Sequence, residues 1–466
     1  MCEGFGMQGS RFFLFLGLTF FYYDAHSAEI DWLAFGDIRG NIETCGCDPR
    51  TDLGGIARIA SLLQKERAFY PRVHVFDLGN NLAVRAQEES NQLKNRYLTK
   101  GLELMAVDAV LVNRAEIKWE QENTKNRPFV LSNSGREFPK EKIHKTYIVS
   151  GKVIVFGYYW EDDMGHMLQK WGKKLRTSLE EISKKHPEKK SVLLFSGNDL
   201  DLEKIARSNI FDLIISSNIK ADSEQVGFDE KEDENKLLRM HEPMFVRMVP
   251  FGGVGVLRGG ALANKHTPSV EDLLEEKKEQ TLGFPSLQNS APILSTLQQP
   301  TISWLDLKYS SSTPIKDLLK EYQSDAKELF KIQAKKKLKD LETTPFVGAN
   351  ACKGCHFKEF DIWSRSQHAV AYKTLEKEGK HENMECVKCH VLGAKEKGGF
   401  VSVDKTPTFA GVQCENCHGA RKDHIKDPTQ AQSKVNAKEK CSSCHHTPHS
   451  SSFKYSRYWQ KIQHGN

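Results

Sequence analysis

Cys352-Lys353-Gly354-Cys355-His356, Cys386-Val387-Lys388-Cys389-His390, Cys414-Glu415-Asn416-Cys417-His418 and Cys441-Ser442-Ser443-Cys444-His445 carry one pattern four times. C-x-x-C-H is the attachment signature of c-type haem. Two thiols one short turn apart can both add to the haem vinyl groups, and the next residue then offers an imidazole to the iron. With 11 Cys and 17 His in 466 residues, a chance match is expected roughly 0.01 times per chain. Zinc is the other reading of paired C-x-x-C units. Zinc needs no His after every second Cys, and all four units have one. Disulfides fit less well, because C-x-x-C pairs are usually redox or metal motifs. The sequence therefore predicts four covalently attached haem c groups. They are held by Cys352, Cys355, Cys386, Cys389, Cys414, Cys417, Cys441 and Cys444, with His356, His390, His418 and His445 as proximal ligands.

Between Ala349 and Asn466 the chain has few Leu, Ile or Val. So short a polypeptide hardly buries enough apolar surface alone, so the porphyrins are expected to supply core and the segment to unfold without them. Each iron has a second axial position. The histidines left over in this segment are His368, His381, His424, His446, His449 and His464. The reading takes His368, His424, His449 and His464 as the distal ligands, with His381 and His446 as weaker candidates. A bis-His iron suits electron transfer, whereas an open position suits catalysis or small-ligand binding.

Outward from the motifs, the segments CKGCHFKEFDIWSRSQHAVAYKTL, CVKCHVLGAKEKGGFVSV and GVQCENCHGARKDH resemble the tetrahaem cytochrome c-554 family of nitrifying bacteria. The resemblance spans roughly residues 349–450. It implies closely stacked haems relaying electrons between redox partner proteins, with most irons bound by two His and one open to a five-coordinate state. The chain departs after the fourth motif, where His446, His449 and the ending KIQHG replace a longer tail.

Residues 29–312 read as alternating β and α. Strands are predicted at Ile30–Phe35, Val73–Phe76, Ala109–Val112, Val153–Tyr158, Val192–Phe195, Leu213–Ile215 and Ile302–Leu307. Helices are predicted at Gly54–Glu66, Asn91–Met105 and Gly165–His186. The fold class is α/β, a layered sandwich followed by a mainly α-helical multihaem segment. Three loops, Phe35-Gly36-Asp37-Ile38-Arg39-Gly40, Phe76-Asp77-Leu78-Gly79-Asn80-Asn81 and Asp108 to Glu116, resemble the calcineurin-like metallophosphatases in their 5′-nucleotidase-like branch. That resemblance implies a two-metal site, yet Asp37 alone survives of its ligands. Arg39 stands at a His, Asn80 at the bridging Asp, and Arg114 and Ala115 at Asn and His. Phe195 to Asn198 and Ser216 to Asn218 contain no His. Two arginines there would repel metal ions, so no hydrolysis is expected and the catalytic set is empty. Cys45-Gly46-Cys47 lies in the first of these loops. It reads as a tight disulfide, a redox dithiol or a soft-metal site.

The domains predicted are a signal peptide (1–28), the metallophosphatase-like sandwich (29–312), a connecting helix (313–345) and the tetrahaem cytochrome segment (346–466). Phe12–Tyr23 is a short apolar run behind Arg11, and Ala25-His26-Ser27-Ala28 offers a cleavage site. The mature chain is expected in the periplasm or otherwise exported, without a transmembrane span. Asn264–Gln299 reads as a decorated insert, and Pro314–Leu341 as a long Lys-rich helix packing between the domains. The net charge of +6 does not suggest nucleic acid. From Thr313 onward Lys and Arg number 27 against 18 Asp and Glu, a surplus that suits haem propionates or an acidic partner. The function expected is electron transfer between periplasmic partners. The alternatives are an oxidoreductase at an open haem or a residual metallophosphoesterase.

Overall fold

The computed structural model describes residues 32–43, 54–83, 88–132, 144–159, 167–197, 202, 205, 210–218, 244–248, 255–259, 301–305, 313–429, 435–445, 450 and 453–464. The leader, Cys45 and Cys47, the insert 264–299, His446 and His449 lie outside these residues.

Side-chain alternation along two strands sets the layers. In β1 (Trp32–Phe35), Trp32 and Ala34 turn to one face, Leu33 and Phe35 to the other. β2 (His74–Asp77) lies parallel to it, with Phe76 on the first face and Val75 on the second. α1 (Ile56–Phe69) connects the two, and α2 (Glu89–Leu104) leads on to β3 (Ala109–Leu111). α3 (Arg114–Asn123) is capped by Asn113, whose side chain accepts from the Glu116 N–H at 2.8 Å. β4 (Phe129–Val130) and β5 (His144–Lys145) complete the parallel run. A second sheet is built from β6 (Tyr147–Ser150), β7 (Val153–Tyr159), β8 (Lys190–Gly197), β9 (Leu213–Asn218) and β10 (Met244–Met248), with α4 (Met167–Lys185) between β7 and β8. β11 (Gly255–Gly259) and β12 (Thr301–Trp304) return antiparallel to the free edge of β1.

The sheets are thus β12-β11-β1-β2-β3-β4-β5 and β10-β9-β8-β7-β6. They pack face to face: Trp32, Ala34, Phe76 and Leu111 meet Ile148, Val155, Leu194 and Ile215 in one buried cluster. Leu33, Phe35 and Val75 face the helices α1 and α2 on one outside. Ile154, Phe156 and Phe195 face Leu179 and Ile182 of α4 on the other. This is the layered α/β sandwich expected, with local differences, among them the added helix α3 and a last strand that ends at Trp304. α1 starts two residues late because Gly54 and Gly55 hold φ of 86° and 85°, outside the helical region. The strands β4, β5, β6, β10 and β11 are additional.

α5 (Thr313–Lys337) joins the sandwich to the C-terminal segment and ends in a 3-10 turn, Leu338–Thr343. Its buried stripe is Ile315, Leu318, Tyr322, Ala326 and Phe330. The first four belong to the core shared with α1 and α2. Gly101 of α2 permits the close approach, since a Cβ there would meet Ile56 and Leu318. Phe330 instead enters a separate cluster with Phe346, Tyr372, Leu375, Val387, Leu392 and Phe400. Around that cluster run α6 (Phe357–Ser364), α7 (Ala371–Lys377), α8 (Met384–His390), α9 (Cys414–His418), α10 (Lys422–Lys426), α11 (Ala437–Ser442) and α12 (Tyr455–Trp459). Between residues 435 and 464 no described side chain is buried by protein. None of the described helices is long and apolar enough to cross a membrane.

Two buried charge networks hold these parts. Lys94 of α2 donates to Glu385 Oε2 at 2.8 Å, and Lys388 donates to the same oxygen at 2.8 Å. Burial works to raise the Glu385 pKa, but the two ammonium groups outweigh it and hold it down to about 2. Within the sandwich, Arg127 donates to Asp77 and, at 2.6 Å, to Glu120. Glu116 accepts from the N–H groups of Asn80 at 3.0 Å and Leu82 at 2.5 Å. Burial, helped by Glu120 and Asp77, pushes the Glu116 carboxyl up to about 8.

Removing Glu385 leaves Lys94 buried without its carboxylate. Glu385→Ala is expected to destabilise the joined chain by about 3 kcal/mol, read by chemical denaturation; a loss below about 0.5 kcal/mol would deny this contact its role. Because its pKa is depressed, the Glu385 contribution is present above pH 4.5 and fades as pH falls towards 2. Glu116 has the opposite sign: its raised pKa means stability is lost as pH climbs from 4.5 to about 8. Glu116→Gln should flatten that slope in thermal scans across this window, and an unchanged slope would assign it elsewhere.

Candidate functional site

Each C-x-x-C-H unit is a helical turn, which brings positions i, i+3 and i+4 to one face. In the first, the His356 N–H donates to Cys352 O at 2.9 Å, and in the fourth the His445 N–H donates to Cys441 O at 2.8 Å. The second is α8, capped by Asn383, whose side chain accepts from Glu385 N–H at 3.0 Å. The third is α9, whose start is closed by reciprocal bonds between Gln413 and Asn416. The third motif is also tied to the first. Glu415 accepts from the Gly348 and Arg421 N–H groups, each at 2.8 Å, and Gln413 accepts from Ala349 N–H at 2.7 Å. The Trp363 indole donates to Val412 O at 2.7 Å, adding a strut from α6.

Among the described residues no disulfide joins the eight motif cysteines. Cys352 lies within hydrogen-bonding reach of Cys414, and Cys389 of Cys444. Motif one therefore neighbours motif three, and motif two neighbours motif four. Among the described residues no three His, Cys, Asp or Glu side chains converge as a metal-ion cluster.

The imidazoles pair across the segment. His356 faces His424 with ring centroids 6.4 Å apart, His418 faces His464 at 5.8 Å, and His445 faces His368 at 6.1 Å. Two metal–imidazole bonds of about 2 Å each, plus the distance from ring nitrogen to ring centre in both rings, sum to roughly 6 Å. The three pairs thus fit one iron between each. Two of these six rings have an outer nitrogen held by a hydrogen-bond partner, as bound imidazoles require. His464 Nδ1 donates to Ile462 O at 2.8 Å, and His445 Nδ1 sits 3.1 Å from Ser450 Oγ. Burial lowers the pKa of His368, with His390 adding to it, and lowers that of His418, with His464 adding to it. Both effects favour the neutral ring that a metal takes.

His390 differs. Its Nδ1 donates to Ala371 O at 2.7 Å, which leaves Nε2 for iron, but among the described residues no second imidazole faces it. His381 packs instead against the Tyr372 ring at 6.3 Å, with its Nδ1 buried and unbonded. His449, the remaining distal expectation, and His446 lie outside the described residues. The anchors Ala371, Ile462 and Ser450 left no sequence signal, since a carbonyl or a lone hydroxyl carries no motif.

In the sandwich, the ends of β1 and β2 bring together the residues singled out from the sequence. Asp37 is buried, and its Oδ1 accepts from Arg39 Nε at 2.8 Å and from Asn80 Nδ2. The guanidinium thus rests on the surviving carboxylate. Asp37, Arg39 and Asn80 hold φ of 54°, 50° and 57°, a conformation that non-glycine residues adopt at a cost of about 1–3 kcal/mol each. Gly79 beside them has φ of 70°, and a Cβ there would strike Leu111 O. The side chains of Arg114 and Ala115 are outside the described residues. Arg127, which neutralises Asp77 from within, was not legible as a site residue because a lone Arg reads as surface.

Comparisons with known proteins divide along the same line. Residues 351–419 match the family model described as cytochrome c554 and c-prime. Cytochrome c-554 of Nitrosomonas europaea is 30% identical over 135 residues, which is 22% of this chain and 57% of that protein. The chain therefore spans little over half the length of that relative. Among solved structures, the calcineurin-like phosphoesterase YfkN of Bacillus subtilis matches 63% of this chain and 96% of its own, at 14% identity and a TM-score of 0.37. The sulfate thiohydrolase SoxB of Thermus thermophilus covers 64% and 60%, at 13% identity and a TM-score of 0.39. A 5′-nucleotidase precursor, also from Thermus thermophilus, covers 63% and 58%, at 12% identity and a TM-score of 0.38. The C-terminal segment is thus similar to cytochrome c-554, a c-type cytochrome with covalently bound haem, and it follows an α/β sandwich whose structural neighbours are phosphoesterases and nucleotidases.

Proposed function

We propose that this chain is an exported multihaem c-type cytochrome that passes electrons between periplasmic partner proteins. The observation that carries this reading is the facing of three motif histidines by three others at 5.8–6.4 Å. Haem iron supplies one-electron chemistry when bound. The chain holds four haem c groups through the eight motif cysteines, with His356, His390, His418 and His445 proximal. His424, His464 and His368 are the distal partners of His356, His418 and His445, and His449 is the remaining candidate for His390. Two axial imidazoles exclude substrate from an iron, which suits a relay. The contacts of Cys352 with Cys414 and of Cys389 with Cys444 support short steps within each pair of motifs. A leader at 1–28, a sandwich at 29–312, a connector at 313–345 and a haem segment at 346–466 make up the chain in this reading.

The sandwich serves as a non-hydrolytic scaffold. Asp37 already has a cation on it, Arg39, and the residue at the bridging position is the neutral Asn80. A dication arriving there must displace the guanidinium and overcome its charge. A second reading of the haem segment, an oxidoreductase at an open iron on His390, is favoured by the lack of a facing imidazole among the described residues.

Intact mass and a pyridine haemochrome assay on the exported protein are expected to give four haems per chain and no free thiol in the four motifs; bare thiols, or zinc in their place, would end the reading. His464→Ala should expose the iron on His418 and raise carbon monoxide uptake by about one per chain over the parent. Unchanged uptake would separate His464 from iron. The parent's own uptake decides between His390 saturated (none) and open (about one). With Mn2+ and aryl phosphate esters, hydrolysis should remain at background; turnover abolished by Asp37→Ala would instead restore the hydrolase.

A further inference from the structure

A cavity of about 440 Å³ lies where the sandwich, the connecting helix and the second motif meet. The first turn of α2, the end of α5 and the flank of α8 line it, together with Ala394 and Lys395. Four of its side chains are lysines: Lys336, Lys337, Lys388 and Lys395. The acidic groups on its wall are already engaged. Glu385 accepts from Lys388 and from Lys94 behind it. Glu89 accepts from Lys336 at 2.9 Å and from Gln333 at 3.2 Å. Glu88 acts on Lys388.

Two ammonium groups remain. Lys337, half-buried, donates to the carbonyls of Ala394 and Phe400, and no carboxylate among the described residues lies within ion-pair distance of it. Asp340 and Glu396 act on it only from further away. Lys395 is exposed and forms no ion pair among the described residues. Its charge reaches the thiols of Cys389 and Cys444. The haem-bearing face of α8 does not line this space. Of α8, Met384, Glu385 and Lys388 line it, whereas Cys386, Cys389 and His390 do not. The cavity is therefore beside the second motif rather than on its haem side.

We infer that this junction is a binding site for a small multivalent anion, a phosphate or phosphate-ester group, seated between Lys337 and Lys395. Lysine recognises such groups as a point charge. A volume within the range of small-molecule pockets leaves room for the remainder of an ester. The two cations come from different parts of the chain, α5 and the loop after the second motif. An anion bridging them clamps the connector onto the haem segment. It also places negative charge beside the paired second and fourth motifs.

The test is calorimetric titration of the haem-loaded full chain with inorganic phosphate in a low-salt buffer. Saturable binding is expected, weakened about tenfold by Lys395→Gln and by Lys337→Gln, and unchanged by Lys335→Gln, an exposed lysine on α5 outside the cavity. Lys395→Gln alters only an exposed loop side chain, so it remains informative if Lys337→Gln folds poorly. Absence of saturable binding, as when the chain's own haem carboxylates fill the space, overturns the inference, as does an affinity indifferent to Lys395→Gln. The readout is heat and not haem colour or electron transfer, so its failure leaves the cytochrome reading standing.

Discussion

One apolar stripe belongs to two cores. Ile315, Leu318, Tyr322 and Ala326 sit in the helical layer of the sandwich, and Phe330, one turn further along α5, sits among Phe346, Tyr372 and Phe400. A helix is a stiff spacer at 1.5 Å per residue, so burying both ends of the stripe fixes the second motif relative to the sandwich. The Lys94–Glu385–Lys388 contact adds a directional lock to this non-directional packing. Without the stripe, the two parts would be beads on a string and the cavity between them would have no walls.

The sequence carried different parts of this arrangement with unequal clarity. Strands with a long apolar run, such as β7 and β8, were readable because both faces are buried and the run has no competing period. Two-residue β4 and β5 have no period at all, and β11 is bracketed by glycines that read as turn. The motif residues were legible because covalent attachment demands fixed types at fixed spacing. Which imidazole meets which was not legible. His368 and His445 are far apart in the chain, and their encounter depends on how α6, α7 and the final loop fold back. His424, close after its own motif, faces the ring of the first motif rather than that of the third, a crossing that local spacing cannot reveal.

At the ends of β1 and β2, structure and chemistry have come apart. Three non-glycine residues keep left-handed backbone there, at a cost that surrounding contacts must offset. The offset is visible: Glu116 accepts two N–H groups of the loop bearing Asn80, and Asn81 donates to Asp77 at 2.8 Å. Asp37 accepts from Arg39 and from Asn80. A guanidinium satisfies a buried carboxylate with no need for a second ligand sphere. These contacts hold the loops in shape.

The second motif is where these threads meet. Its helix presents Val387 to the protein core, with Cys386 packed against the same cluster, and Glu385 to Lys94 of the sandwich. No other motif shares a buried ion pair with the sandwich among the described residues. His390 is also the motif imidazole without a described ring opposite it. The helix that carries His390 is therefore held by residues from both halves of the chain.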